Sequence, residues 1–324
     1  MNTKISIIGL GLIGTSIGMA LKAAKNKDLE IVGHDREPTT ARGAKSRGAV
    51  NSVEWSLPAC VSEADMVIIA VPVLAIKEVM EQIAPHLPED CLVTDTGSTK
   101  QQVLKWADEI LPPGVHFIGG HPMAGKEDSG PSAADPALFN GAMYCVLPSI
   151  RSAKWAVQAV LSLVETLGAK PYFVDAQEHD SYVAAVSHLP IALSAALVAS
   201  TAESPSWLEM SRLASGDPEM NRDICLTNAN EISTWIDRAV LKLLDLKRGL
   251  NERDEESVAR LFAGVFEERE KLMAGAIRPV DTNPELPTMG DNMRALFVGD
   301  LLARKGRDLM ERYEADPLRK GKRK

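Results

Sequence analysis

The chain has 324 residues, more than one typical domain needs and enough for two domains that each bury a core. Its composition is 45% hydrophobic, 25% charged and 5% aromatic, which is typical of a globular protein and excludes a disordered or fibrous one. The net charge of −8 argues against nucleic acid as the main partner. The basic run Arg319–Lys324 departs from this balance and indicates either a frayed terminus or a contact with an anionic surface.

The cysteines indicate the compartment. Cys60, Cys91, Cys145 and Cys225 are far apart and contain no CxxC pair, so neither a metal site nor a disulfide framework is predicted. A reducing, cytoplasmic location fits best. Because no uninterrupted apolar run reaches membrane-spanning length, we expect no signal peptide and no membrane contact.

A glycine-rich turn follows the first strand pattern. Residues 4–8 predict a short buried strand, residues 9–14 read GLGLIG, and residues 15–24 predict a helix. GxGxxG between a strand and a helix is the dinucleotide-binding fingerprint, because glycine permits the tight turn and the helix N-terminus offers free N–H groups to a pyrophosphate. The residues expected to hold the cofactor here are Gly9, Gly11, Leu12, Ile13 and Gly14.

An acid at the end of the second predicted strand bears on the choice of cofactor. Asp35 lies about twenty residues beyond the last glycine, the offset of a carboxylate that binds the adenosine ribose hydroxyls. It favours NAD over NADP, whereas Arg36 and Arg42 could instead receive a 2′-phosphate. A turn acid that caps the next helix is the open alternative for Asp35.

Strand and helix patterns continue to alternate through the first half. Residues 64–72 are an almost continuous apolar run, residues 73–83 predict a helix, and residues 90–95 and 101–109 repeat the pair. This spacing predicts an α/β fold with a Rossmann-type doubly wound parallel sheet. Ligands of such sheets lie beyond the carboxyl ends of the strands. Val71, Pro72, Thr96 and Gly97 are therefore further candidate cofactor contacts.

Two polar residues follow the next strands. Residues 115–120 predict a strand, and His121 comes directly after it among small residues, on a loop that a substrate could reach. Ser98 opens a predicted helix, where it suits either catalysis or an N-cap. A polar segment, residues 127–135, follows as a candidate flap, and strands at 142–147 and 170–174 flank a helix at 152–167.

The period changes after Asp175. Residues 180–200 predict a helix that is buried on most sides and kinked by Pro190. Two apolar stripes, residues 232–250 and 258–266, fit either a core or a subunit interface, and residues 293–313 predict a last helix. We expect three parts: a nucleotide-binding domain at 1–175, an all-α domain at 176–313 and a basic tail at 314–324.

Several segments together resemble one family. They are the glycine turn, Thr96–Lys100, His121–Gly125 with Glu127 and Ser129-Gly130, His179-Asp180, Ser187–Pro190 and Ser211–Ala214, in order over residues 4–275. These segments are similar to the prephenate/arogenate dehydrogenases of tyrosine biosynthesis. His-Pro-Met-Ala-Gly and Ser-His-Leu-Pro are far more specific than the fingerprint.

The resemblance implies an NAD-dependent oxidative decarboxylation. Hydride leaves the ring carbon that bears the 4-hydroxyl group, the ring carboxylate departs as CO2, and the ring becomes aromatic. It implies that His121 is the base for the hydroxyl proton, a task that suits a neutral imidazole near pH 7. Ser98 would hydrogen-bond the same hydroxyl or the imidazole.

The resemblance also implies which residues contact the dianionic substrate and how the chain assembles. Substrate contacts are expected from Arg212, His179, His188, Glu127 and Gly125, with Glu127 and Glu209 as acids of the gate region. A planar guanidinium suits a carboxylate, although a surface ion pair is the open alternative for Arg212. The helical half would form a homodimer.

Two positions depart from the family pattern. Ile191 stands where many prephenate-using relatives have a second histidine, and Asn221 stands where a tryptophan is usual. Both leave open the choice between prephenate and arogenate and the inhibition by tyrosine. The alternatives are a dehydrogenase of the 3-hydroxyacid type, for which the helical half offers no lysine in a matching motif, and an NAD-binding regulator without turnover.

Overall fold

A computed structural model describes residues 3–26, 28–126, 128–149, 152–201 and 212–273. The described residues divide into two compact units. The first comprises those of Met1–His179 and Gly216–Asp223, and the second those of Asp180–Ser215 and Ile224–Leu286. The expected helix at 293–313 and the basic tail at 314–324 lie outside the described residues.

The first unit alternates strands and helices from its start, as the patterns predict. Its strands are β1 (Thr3–Ile8), β2 (Leu29–His34), β3 (Ser52–Val53), β4 (Met66–Ile69), β5 (Leu92–Asp95), β6 (His116–Pro122), β7 (Met143–Pro148) and β8 (Lys170–Phe173). Its helices are α1 (Leu12–Ala23), α2 (Pro38–Ser46), α3 (Leu57–Val61), α4 (Val73–Ile83), α5 (Gln101–Ile110) and α6 (Lys154–Thr166).

The strands form one sheet in the order β3-β2-β1-β4-β5-β6-β7-β8. All neighbouring pairs are parallel except β6 with β7. The doubly wound parallel sheet is therefore confirmed, with one antiparallel pair. The described residues between β6 and β7 contain no crossover α-helix. The chain therefore enters β7 at the edge of the sheet where it left β6, and β7 is antiparallel to β6.

Apolar residues of the strands form the core of this unit. Val67 and Ile69 of β4 and Val93 of β5 are fully buried and pack with Ile76 and Met80 of α4. Because helices cover both faces of a parallel sheet, a central strand such as β4 is apolar and buried at every position rather than at alternate ones. The continuous apolar runs in the sequence follow from this burial.

The second unit is helical. Helix α7 (Ala176–Val183) runs into a π-helical turn at Ala184–His188 and continues as α8 (Leu189–Thr201). A 3-10 turn at Arg212–Ser215, α9 (Pro218–Thr227), α10 (Ala229–Glu252) and α11 (Glu255–Met273) follow, and the first part of α9 belongs to the first unit. Pro190 cannot donate a backbone N–H, and the helix widens into the π-helical turn just before it.

The small core of the second unit forms around α10. Ala184, Ile224 and Ile232 are buried together, and Trp235 packs against them. Trp235 Nε1 donates to the Ser181 carbonyl oxygen at 3.3 Å, and Asn228 Nδ2 donates to that of Asp180 at 2.8 Å.

The expectation that residues 180–200 are buried on most sides is wrong for the described chain. Within α8, Ser194 is the buried residue, while Leu193 is exposed. The apolar composition of α8 predicts that other residues pack against it. The described residues do not provide that packing. By length and composition the helix from Ala176 to Thr201 could cross a membrane, which is weak evidence because interface and core helices meet the same criterion.

Candidate active site

The glycine turn after β1 has the shape of a phosphate cradle. Gly9 has a φ of +91°, and a Cβ there would lie 2.3 Å from the Ala70 carbonyl oxygen. A Cβ at Gly14 would lie 1.9 Å from the carbonyl oxygen of Gly9, so α1 packs directly on the turn. A Cβ at Gly11 would instead meet nothing within 4 Å in the described residues. The open side of the turn therefore lies at Gly11, the N-cap of α1.

Asp35 fastens this turn to the end of β2. Its Oδ2 accepts a hydrogen bond from the backbone N–H of Leu10 at 2.8 Å, and its Oδ1 accepts from that of Glu37 at 2.8 Å. One oxygen thus holds the glycine turn, while the other shapes the turn before α2. The half-buried carboxylate stands where a ribose carboxylate is expected, and Arg36 beside it is exposed.

The next candidate contacts lie at the ends of β4 and β5. Val71 and Thr96 are half-buried, Pro72 is exposed, and Gly97 is buried. Pro72 is the N-cap of α4, and the first turn of that helix receives a carboxylate from elsewhere in the unit: Asp223 Oδ2 accepts from the N–H of Leu74 at 3.4 Å. All four residues therefore stand at the carboxyl edge of the sheet, next to the glycine turn.

His121 lies inside β6, which corrects the loop that the sequence predicts. The strand continues through Pro122 because β7 pairs with it, with His121 opposite Cys145 and Pro122 opposite Tyr144. The histidine is half-buried. Its backbone is thus held by a ladder, and its side chain is better fixed than it would be on a free loop.

A second histidine contacts the first. His121 Nδ1 lies 2.9 Å from His179 Nε2, and the two rings meet edge to face. His179 belongs to α7 and is buried, whereas His121 is half-buried. One nitrogen of this contact must donate and the other accept, so the pair restricts the tautomer of each ring.

Ser98 lies in the bend between β5 and α5 and is half-buried. The N-cap of α5 is Lys100, two residues later, so the N-cap alternative for Ser98 does not hold. Gly125 follows β6 and is exposed. Glu127, Glu209 and Ser211 lie outside the described residues.

The second unit carries the remaining predicted substrate residues. His188 is buried at the end of the π-helical turn, where its Nδ1 lies 3.3 Å from Asn228 Nδ2. Arg212 opens the 3-10 turn and is exposed. Ile191 is half-buried on α8. Asn221, at the other departure from the family pattern, has a buried Oδ1 without a hydrogen-bond partner among the described residues.

Two family profiles match most of this chain. A profile described as the nucleotide-binding domain of prephenate dehydrogenase matches residues 17–173, and one described as its dimerization domain matches residues 175–264. The chain belongs to the prephenate dehydrogenase family. The resemblance drawn from the sequence motifs is thereby confirmed.

Individual members of the family agree over most of the chain. Prephenate dehydrogenase of Bacillus subtilis is 33% identical over 84% of this chain and 76% of its own length. The structure of prephenate dehydrogenase from A. aeolicus in complex with hydroxyphenyl propionate and NAD+ has a TM-score of 0.78 at 27% identity, covering 84% of this chain and 99% of that one. Arogenate dehydrogenase of Synechocystis has a TM-score of 0.71 at 27% identity, covering 83% of this chain and all of that one.

Sequence reasoning missed two buried charges beside the predicted residues. Asp95 and Lys100 flank Thr96–Thr99 and form an ion pair that is fully buried. The available signal was a carboxylate at the end of a strand five residues before a lysine at a helix start. Because charged residues are usually solvated, this spacing does not by itself indicate a buried ion pair.

Gly120 provides a first test of this site. A Cβ there would lie 2.5 Å from the Asp95 carbonyl oxygen and 2.8 Å from the Tyr144 hydroxyl, whereas one at Gly119 would come no closer than 3.3 Å, to Leu147 Cβ. We expect Gly120→Ala to destabilise the protein by about 1–3 kcal/mol, because β6 must shift. Gly119→Ala is the matched control and should cost less. Equal loss of stability in urea unfolding would contradict this account.

Proposed function

We propose that this chain catalyses the oxidative decarboxylation of prephenate or arogenate in tyrosine biosynthesis, with His121 as the base. The observation that carries the proposal is the His121–His179 pair at the carboxyl edge of a sheet whose glycine turn is built for a dinucleotide. Family membership favours this function over a 3-hydroxyacid dehydrogenase or a regulator without turnover.

The cofactor site fits NAD. The glycine turn and the first N–H groups of α1 would receive the pyrophosphate at Gly11, Leu12, Ile13 and Gly14. Asp35 would accept from the ribose hydroxyls and repel the 2′-phosphate of NADP, while Arg36 borders the ribose. Val71, Pro72, Thr96 and Gly97 would border the remainder. When bound, NAD supplies the acceptor for the hydride.

His121 would remove the proton of the ring hydroxyl. A base must be neutral, and we assign the uptake of the substrate proton to His121 Nε2 because its Nδ1 contacts His179. In this arrangement His121 Nδ1–H donates to Nε2 of His179. As Nε2 takes up the hydroxyl proton, the ring becomes cationic, and the hydrogen bond to a neutral His179 stabilises that charge.

His179 thereby acquires a positioning role beside the substrate contact that the resemblance implies. Its burial keeps its ring in one orientation, and its ring in turn orients His121. The arrangement follows the general logic of a base held by a third group.

The remaining substrate contacts are proposals of the same kind. Arg212 is exposed, and it would bind a substrate carboxylate through its guanidinium. Ser98 would hydrogen-bond the hydroxyl or the His121 ring. His188, Gly125 and Glu127 are proposed as further substrate contacts. Ile191 and Asn221 leave the side chain of the substrate undecided.

We also propose a homodimer formed through the helical half. Large apolar side chains of α10 and α11 are more than half exposed, among them Leu243, Leu250, Phe262, Val265 and Phe266. Contiguous exposed apolar surface of this kind marks an interaction site. The dimerization-domain profile covers α10 and the first half of α11, and a second copy would explain why α8 is apolar yet open.

The compartment and the domain boundary follow as lesser proposals. All four cysteines are free thiols, and burial raises the pKa of Cys60 to about 11 and that of Cys91 to about 12. Free thiols suit a reducing, cytoplasmic location. The nucleotide-binding domain would end near Asp175, between the end of β8 and the start of α7.

The activity is tested by NADH formation at about 340 nm, the absorbance of the reduced nicotinamide. Prephenate and arogenate are assayed in parallel, with NADP as the cofactor control and CO2 release as a second readout. We expect turnover with NAD, and the ratio of kcat/KM for the two substrates then assigns the preference. NAD binding without turnover of either substrate would contradict the proposed function.

The histidine pair is tested by substitution. We expect His121→Asn to lower kcat by about 10²–10⁴-fold with little change in the Kd of NAD, because a general base is lost. His179→Gln can still accept a hydrogen bond from His121, whereas His179→Leu cannot. The leucine variant should therefore have the lower kcat of the two. Equal kcat values for both would show that the contact does not orient the base.

The homodimer is tested by placing a charge on its proposed surface. We expect the wild-type protein to sediment with twice the mass of one chain, and Leu243→Glu or Phe266→Glu to shift it toward the monomer because a charge would be buried. Arg248→Ala, on an exposed ion pair with Asp245, is the control and should remain dimeric. A monomeric wild type that binds lipid vesicles would contradict the proposal.

A further inference from the structure

Two opposite charges are fully buried next to His121. The side chains of Asp95, at the end of β5, and Lys100, at the start of α5, are both 0% exposed and form an ion pair. The Asp95 Oδ2 that accepts from Lys100 also accepts from the N–H of Gly97 at 2.8 Å. A buried charge is costly unless it is paired and hydrogen-bonded, and these two charges are.

The pair joins two segments that carry candidate catalytic groups. Lys100 Nζ donates to the carbonyl oxygen of Gly120 at 2.7 Å, and the N–H of Gly120 donates to Asp95 Oδ1 at 3.2 Å. Gly120 directly precedes His121, and Gly97 directly precedes Ser98. Both polar groups of the Gly120 residue are thus held by the side chains that close the Ser98 bend.

Helix stability does not explain this lysine. Lys100 is the N-cap of α5, where a cation opposes the helix dipole and where a short polar side chain would cap the first turn. Apolar residues of similar volume are often as stabilising as a buried ion pair. The residue type is instead explained by what it reaches, because a lysine can bond the Asp95 carboxylate and the Gly120 carbonyl oxygen together.

The wall behind Gly120 leaves it little freedom to move. The Asp95 carbonyl oxygen and the Tyr144 hydroxyl both lie within 3 Å of the position that a Cβ of Gly120 would occupy. Tyr144 is fully buried on β7, and the same strand pairs with His121. A change in the ion pair therefore moves β6 relative to the Ser98 bend, and its consequences reach the His121 ring.

We propose that Asp95 and Lys100 are positioning residues that set the distance between His121 and Ser98 in the proposed dehydrogenase reaction. They act through the Gly97 and Gly120 backbones and not on the substrate, because Lys100 is withdrawn from solvent. The inference rests on the proposed function, since it assigns a role in that reaction. Neither Asp95 nor Lys100 is among the cofactor or substrate contacts expected from the sequence.

The test compares Lys100→Met, Asp95→Asn and the double variant with the wild type. Active sites are counted by NAD binding, so that kcat is expressed for each folded site. We expect this kcat to fall about 10- to 100-fold in all three, with the Kd of NAD and the KM of the substrate within about threefold, because a misplaced base costs the chemical step. Lys105→Met, on the exposed side of α5, is the matched control and should keep the wild-type kcat.

The double variant separates positioning from stability. Lys100→Met alone leaves a buried carboxylate unpaired, whereas the double variant removes both charges and should recover thermal stability. Continued loss of kcat for each site in that variant supports positioning. Recovery of kcat together with stability would overturn the inference, as would single variants with the wild-type value. Absence of turnover in the wild type would instead refute the proposed function, so the two failures are distinguishable.

Discussion

Asp95 and Lys100 form a fully buried ion pair at the point where β5 ends and β6 approaches its own end. Their hydrogen bonds reach the Gly97 and Gly120 backbones, so two strands that pair in parallel are also tied at their carboxyl edge. A parallel ladder alone fixes the strands but leaves the loops beyond them free. The buried ion pair restricts the bend that contains Ser98 and also holds the Gly120 backbone, which directly precedes His121 in β6.

The reversed strand β7 serves the same end. It pairs with β6 through Pro122 and places His121 within a ladder, while Tyr144 fills the space behind Gly120. Burial and the nearby Asp95 carboxylate raise the pKa of Tyr144, so its hydroxyl stays neutral beside the ion pair. The histidine is thus supported on its backbone by β7 and at its Nδ1 by His179. Both contacts restrict the orientation of the ring that we propose as the base.

The helical unit follows a different rule. Its internal core is small, and the apolar side chains of α8, α10 and α11 remain largely exposed in one chain. The sheet unit buries the apolar residues of its strands, whereas the helical unit leaves stripes of apolar residues exposed. The exposed apolar surface of the helical unit requires a partner surface, which we propose is a second copy.

The sequence alone predicted strands β1, β2 and β4 to β8 and the glycine turn, and it proposed His121 as the base, but it did not predict β3, α2 or α3. Hydrophobic period and glycine spacing are properties of a single segment. Helix α4 begins and ends where its pattern predicts, and Pro72 at its N-cap limits its start. Only the tertiary structure decided that β7 is antiparallel, that His121 lies within a strand, and that α8 is open. It also paired His121 with His179 and Asp95 with Lys100. Contacts between strand ends depend on which strands become neighbours, and burial depends on what covers a helix, so neither can be read from the periodicity of one segment.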